Sequence, residues 1–246
     1  MRSVTTQLTW ALATVSALCF AWPLQASVEH KKNLFMIDHA CERRDHQQLV
    51  DDRHHCVASK DLDALVDLVI AYFSNQPKES ASTAALAKQK MVIFDIDETV
   101  LVRTNQDHTT LWSHCDFVAL PPIMRLYKHL LAQGYKIAFV TWRKELPGSR
   151  DKTLYHLNTN GFQAFEALYL RPKDWKKSCA EWKEHARGLL AKDFDIVATL
   201  DDKLSNLGGL HTGACLVWVC ERAHRPVMQR CVRFPKNVTT RGKRLC

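Results

Sequence analysis

Met91-Val-Ile-Phe-Asp-Ile-Asp-Glu-Thr-Val-Leu101 decides the fold. Four apolar residues run straight into two carboxylates spaced two apart, and a Thr and two more apolar residues follow. On an extended strand, residues i and i+2 point the same way. Asp95 and Asp97 therefore face one site at the strand's C-terminal end, where open α/β sheets hold their ligands. An apolar run alone is ordinary. One that ends in an unpaired Asp-x-Asp needs partners or a metal, because charge at the edge of a core is costly.

Outward from that strand, apolar runs alternate with helical spacing. Strands are expected over 91–94, 136–140, 167–170, 196–200 and 214–219, and helices over 122–133, 150–160 and 178–191. Gly134 and Gly161 close the first two of these helices. Upstream, Leu62, Leu65, Val66, Val69, Ile70 and Phe73 fall on one helical stripe, with Asp61 or Ser59 as its cap. Residues 27–60 are polar, His-rich and read as irregular; 75–83 read as a loop and 84–88 as a helical turn. Strands alternating with helices argue for an α/β protein with a Rossmann-like parallel sheet and an N-terminal helical cap segment. The boundaries are a signal peptide over 1–26, the cap segment over 27–90, a catalytic core over 91–220, and a basic, Cys-containing extension over 221–246.

The signal peptide rests on Arg2, a mostly apolar run over 10–22, and Ala26 before the cut. That run is short for a membrane span, so no stable membrane insertion is expected after its removal; a retained anchor is the alternative. Eight cysteines remain: Cys41, Cys56, Cys115, Cys179, Cys215, Cys220, Cys231 and Cys246. An even number behind a signal peptide points to a secreted or periplasmic protein with as many as four disulfides. Metal binding by Cys41, His46, His54, His55 and Cys56 is the competing reading, but no standard zinc spacing occurs there. Nearly all of the net charge of +8 belongs to the tail, since 221–246 hold eight basic residues against one acid, and Arg2 supplies the rest. The rest of the mature chain is neutral, and no aromatic-interleaved basic repeat announces a nucleic-acid partner.

Two later strand ends carry chemistry. The run 136–141 ends in Thr141, which either caps the next turn or offers a hydroxyl to the same site. The run 195–202 ends in Asp201-Asp202. A second acidic strand end beside the first is costly without a cation between them, and Mg²⁺ suits such oxygen donors. The alternative is that one of the two caps the following turn.

The 91–101 stretch resembles the first motif of the haloacid-dehalogenase-like superfamily. Across 56–210 the chain resembles that superfamily's subfamily IIIB acid phosphatases, the group containing plant vegetative storage proteins and bacterial class B and C enzymes. Arg143 after Thr141, Arg150-x-x-Thr153, Leu157 and Gly161-Phe162 carry the likeness further. Trp182-Lys183 with Arg187 resembles that group's aromatic-Lys-x-x-x-Arg pattern, with Lys176 and Lys177 as competitors for the lysine. The chain departs from the group at Trp142, where a small residue is usual, at Asp201, usually Gly, and at Asn206, usually Asp. Through its hydrogen bonds, Asn206 is still able to orient a metal-bound water or Lys183.

The resemblance implies a secreted, Mg²⁺-dependent acid phosphatase that hydrolyses small phosphate monoesters. Asp95 is then the nucleophile and Asp97 the general acid and base. Thr141 and Lys183 bind the phosphate, and Asp95, the backbone carbonyl of Asp97 and Asp202 hold the metal. The 27–90 segment is expected to cover the site. The alternatives are a phosphotransferase to hydroxyl acceptors and a weakly active binding or storage protein on the same fold.

Overall fold

A computed structural model describes residues 32–37, 54–59, 61–77, 87–103 and 117–219. The signal-peptide segment and the basic extension lie outside the described residues, as do the side chains of the other six mature-chain cysteines besides Cys179 and Cys215. The Asp-bearing strand, β3 (Gln89–Phe94), lies inside a seven-stranded sheet in which every neighbouring pair is parallel. The other strands are β1 (Lys32–Ile37), β2 (His54–Ser59), β6 (Lys136–Lys144), β7 (Ala167–Arg171), β8 (Phe194–Asp201) and β9 (Cys215–Trp218). Two short strands, β4 (Leu101–Arg103) and β5 (Phe117–Ala119), form a separate antiparallel pair just after the Asp motif.

The sheet order is β2-β1-β9-β8-β3-β6-β7. From β3 the chain builds outward through β6 and β7, then returns to place β8 on the other side of β3. That reversal makes the C-terminal end of β3 a topological switch point, where neighbouring connections part and leave a crevice. The Rossmann-like expectation holds.

Alternation along β3 and β6 sorts the core into two layers. Val92, Phe94, Ile137 and Phe139 pack with α1 (Leu62–Ser74), α2 (Pro121–Ala132) and Leu157 of α3 (Ser149–Thr159). Met91, Ile93, Ala138 and Val140 pack against Trp182, Ala186 and Leu190 of α4 (Cys179–Leu190). Local chemistry sets the helix ends. The Asp61 carboxylate accepts from the Ala64 N–H at 2.9 Å, so Asp61 is the cap of α1. Ser178 and Glu181 form a reciprocal capping box at the start of α4. No helix among the described residues is long and apolar enough to cross a membrane.

Three expectations need correcting. Residues 27–60 hold two strands, β1 and β2, which extend the sheet through the backbone register Asn33↔Cys215. The α1 helix expected in the 27–90 segment is present, but its apolar stripe packs on the sheet and α2, making it a layer of the core. The helical turn expected over 84–88 lies largely outside the described residues; Ala87 and Lys88 lead into β3. Cys179 and Cys215 are free thiols, Cys215 buried inside β9, so pairing of all eight cysteines does not hold.

Gly213 fixes the approach of the chain to β9. Its φ is +80°, and a Cβ there would lie 2.4 Å from the carbonyl carbon of Val197 and 2.6 Å from the Ala198 nitrogen. Both obstacles are backbone of β8 and have nowhere to go. Gly213→Ala therefore combines left-handed strain with overpacking, expected to destabilise by about 3 kcal/mol. Thermal unfolding should show a midpoint lowered by roughly 10 °C for a chain of this size.

Candidate active site

Three carboxylates converge at the switch point. Asp95 follows β3, Asp201 ends β8 and Asp202 follows it; one oxygen from each lies within 4.8 Å of the others. The Asp95 N–H donates to the Leu200 carbonyl at 3.0 Å, which locks the two strand ends together. From α4, Lys183 reaches into this cluster, with Nζ 2.8 Å from Asp95 Oδ1 and 2.5 Å from Asp201 Oδ2. Lys183 is only 3% exposed. Of the three competing lysines, it is the one the fold delivers to the carboxylates; Lys177 pairs with Glu181 on the surface.

Electrostatics show that this cluster is short of positive charge. Burial pushes the Asp95 carboxyl up to about 7; Lys183 pulls it down, while Asp201 and Asp97 push it further up. Burial, then Asp95 and Asp201, raise Asp202 to about 8. Burial by itself would lower the Lys183 ammonium, but Asp201 and Asp95 outweigh it and hold Lys183 above the ordinary lysine range. One ammonium does not offset three carboxylates in a poorly solvated crevice.

Whether the residues fit a divalent cation turns on which oxygens are already taken. Asp201 is the most engaged of the three: Lys183 donates to Oδ2, and Asn206 Nδ2 and the Lys203 N–H donate to Oδ1 at 2.8 and 3.0 Å. Asp95 has an oxygen beyond its Lys183 contact. Among the described residues no hydrogen bond reaches the Asp202 carboxylate, although Trp218 Nε1 fixes its backbone carbonyl at 2.9 Å. Asp95 and Asp202 thus present hard, anionic oxygens toward one point, a set that fits Mg²⁺.

The remaining expected residues are placed as follows. The Asp97 carboxylate is not in the cluster: Arg143 grips it through Nε at 2.9 Å and Nη2 at 2.7 Å. Thr141 is fully buried and lies inside β6 rather than at its end, since the strand runs on to Lys144. Its hydroxyl accepts from the Arg143 N–H at 3.2 Å, and Trp182 Nε1 donates to its carbonyl at 2.9 Å. Trp142 is 38% exposed, with the Arg171 guanidinium 4.1 Å from its ring centroid. Asn206 acts on Lys183 through Asp201 rather than directly.

Sequence reasoning missed two parts of this arrangement. Asp201 reads as a departure from a pattern, yet it is the anchor of Lys183. Arg143 reads as a motif match without a role, yet it binds Asp97, 46 positions away. Nothing local in the sequence signals either pairing.

Over residues 4–240 the chain matches the family described as HAD superfamily, subfamily IIIB (acid phosphatase). Among solved structures it is similar to the class C acid phosphatase from Bacillus anthracis with tungstate bound, at 20% identity over 70% of each chain, TM-score 0.42. A second structure of the class C acid phosphatase from Bacillus anthracis matches at 21% identity over 69% of this chain and 70% of that one, TM-score 0.44. A component of the Pnkp1/Rnl/Hen1 complex matches at 20% identity over 58% of this chain and 52% of its own, TM-score 0.44. No curated protein sequence matches the chain. The chain belongs to the HAD superfamily, subfamily IIIB, and is an acid phosphatase, a hydrolase of phosphate monoesters.

Proposed function

We propose that this protein is a Mg²⁺-dependent acid phosphatase, exported from the cytoplasm, that hydrolyses small phosphate monoesters through an aspartyl-phosphate on Asp95. The observation that carries this reading is the convergence of Asp95, Asp201 and Asp202 around the buried Lys183 at the switch point of the sheet. Export is read from Arg2, the apolar run over 10–22 and Ala26.

Asp95, the backbone carbonyl of Asp97 and Asp202 would hold the cation. When bound, it supplies positive charge that offsets the repulsion between a carboxylate nucleophile and an anionic phosphate. The rest is the work of the protein's own groups. An oxygen of Asp95 attacks phosphorus as the ester oxygen departs, and Asp97 gives that oxygen its proton. Asp97 then takes a proton from the water that attacks the phosphorus of the acyl phosphate, which releases inorganic phosphate and restores Asp95. Lys183, fixed between Asp95 and Asp201, orients the nucleophile and offers its charge to the phosphate oxygens. Thr141 is the candidate hydroxyl donor to one of those oxygens.

Hydrolysis of p-nitrophenyl phosphate by the purified protein, with Mg²⁺ and with EDTA, tests the metal requirement. EDTA is expected to cut the rate by at least about 100-fold, with recovery on added Mg²⁺. Unchanged turnover after exhaustive chelation would remove the cation from the account.

A further inference from the structure

Asp97 is held by a designed contact. Its two carboxylate oxygens each accept from Arg143, Oδ2 from Nε at 2.9 Å and Oδ1 from Nη2 at 2.7 Å. Each carboxylate oxygen has two acceptor directions, so this fork takes one from each and leaves the others for the crevice. The Arg143 side chain is 9% exposed and that of Asp97 22%, which leaves the carboxylate reachable from the crevice while its partner is enclosed.

Arg143 is itself braced by α3 and β5. Its third donor group, Nη1, lies 3.4 Å from Thr153 Oγ1 and 3.3 Å from His156 Nδ1. Thr153 donates its own proton to the Ser149 carbonyl at 2.8 Å, so its lone pairs face the arginine. A guanidinium only donates, so His156 Nδ1 must accept and the ring must be neutral, with its proton on Nε2. Burial, then Arg143 and Lys152, push His156 down to about 4, which keeps the imidazole uncharged beside the guanidinium. The Phe117 ring closes the box, 4.9 Å from the guanidinium carbon and 4.5 Å from the His156 ring.

We infer that Arg143 is the positioning residue of Asp97, and that Thr153 and His156 act on the reaction through it. The inference rests on the proposed acid–base role of Asp97. Proton delivery to a leaving oxygen requires placement within a few tenths of an ångström, and a carboxylate on a single χ1–χ2 pair does not keep such a position unaided. Two anchors supply it here. One is the tight turn after Ile96, where Glu98 sits at φ 62° and its N–H donates to the Leu101 carbonyl at 2.8 Å. The other is the arginine fork.

The consequence depends on the ester. An alkoxide is a poor leaving group and needs the proton from Asp97, whereas p-nitrophenolate departs nearly unassisted. Loss of Arg143 therefore slows aspartyl-phosphate formation from alkyl phosphates and largely spares it from aryl ones, while hydrolysis of the intermediate, which also uses Asp97, is common to both.

The test compares kcat and KM for 2-glycerophosphate and p-nitrophenyl phosphate in wild type, Asp97→Asn, Arg143→Gln and the double variant, all with Mg²⁺. Arg143→Gln is expected to lower kcat/KM, which reports formation of the aspartyl-phosphate, by about 100-fold for the alkyl ester and about threefold for the aryl ester, whereas kcat also carries the hydrolysis step common to both. Asp97→Asn gives the same selective pattern, and the double variant is no worse than Asp97→Asn, because the two residues act as one unit. His156→Phe shows a partial selective loss that His156→Gln, with an acceptor retained, recovers. Arg143→Lys keeps the charge without the fork and, should Arg143→Gln fold poorly by thermal melting, carries the same comparison. Equal losses of kcat/KM on both esters would make Arg143 a phosphate contact and overturn the inference, as would multiplicative losses in the double variant. If Asp97→Asn itself lowers kcat/KM for the two esters alike, the general-acid reading of Asp97 fails and the inference falls with it.

Discussion

Asp95→Asn is expected to lower kcat for p-nitrophenyl phosphate by at least about 10⁴-fold while leaving the protein folded. The amide has the shape of the carboxylate but is not a competent nucleophile, so the covalent route closes. Stability should not suffer. Burial and the neighbouring Asp201 and Asp97 charges raise the Asp95 carboxyl, which means its ionised form is held under repulsion in the absence of a cation. Replacing it with a neutral amide relieves that repulsion at the cost of one contact to Lys183, and Lys183 keeps its 2.5 Å partner Asp201. The melting temperature without metal is expected to stay the same or rise. With Mg²⁺ added, wild type should gain more than the variant, because ligand binding to the native state alone stabilises it. A variant that retains a tenth of the wild-type rate would exclude Asp95 as the nucleophile.

Lys183→Met should show the opposite balance, a large loss of stability together with a large loss of activity. The ammonium is buried between two carboxylates, and taking away one partner of a buried ion pair leaves uncompensated charge, typically about 3–5 kcal/mol. Three acidic groups would then face each other around an apolar side chain. The cost has a pH signature. With Lys183 gone, Asp95 and Asp202, already raised by burial, bind protons more readily in the native state than unfolded, so the deficit is greatest near neutral pH and shrinks as pH falls. Mg²⁺ should restore more melting temperature to this variant than it adds to wild type, since the cation meets the same charge deficit. The rate at saturating Mg²⁺ is expected to remain at least about 100-fold down, because Lys183 also orients Asp95. A variant as stable as wild type at neutral pH would show that the carboxylates are not held against one another as described.

Much of the core was legible because its elements carry local signals. The apolar run of β3, the helical stripe of α1 from Leu62 to Phe73 and the Gly stops after α2 and α3 each report their own conformation. Of the strands missed in 27–60, β1 carries a short apolar run, Leu34-Phe35-Met36-Ile37, but its place depends on pairing with β9, about 180 positions away, through contacts such as Asn33↔Cys215, and β2 is placed by pairing with β1. In the site, the Asp-x-Asp motif, Asp202 and Lys183 were reachable from spacing and resemblance. The same extended-strand argument that put Asp95 and Asp97 on one side failed for their partners. Beyond Phe94 the chain leaves the sheet for a tight turn, and Asp97 turns to Arg143 on β6 while Asp95 turns to Lys183 on α4. Asp201 was only partly legible: its contact with the Lys203 N–H is the turn cap that the sequence offers as an alternative, while its contacts to Lys183 and Asn206 are not announced by its neighbours.

The most direct test of the central claim is to trap the covalent intermediate. Wild-type protein with Mg²⁺ is mixed with an excess of p-nitrophenyl phosphate, quenched in acid within milliseconds and treated with borohydride, which reduces an acyl phosphate to the alcohol. Peptide mass spectrometry should then find homoserine in place of Asp95 and nowhere else, and only in substrate-treated samples. An unmodified Asp95 under conditions of full turnover, or homoserine at Asp97, Asp201 or Asp202 instead, would contradict the account.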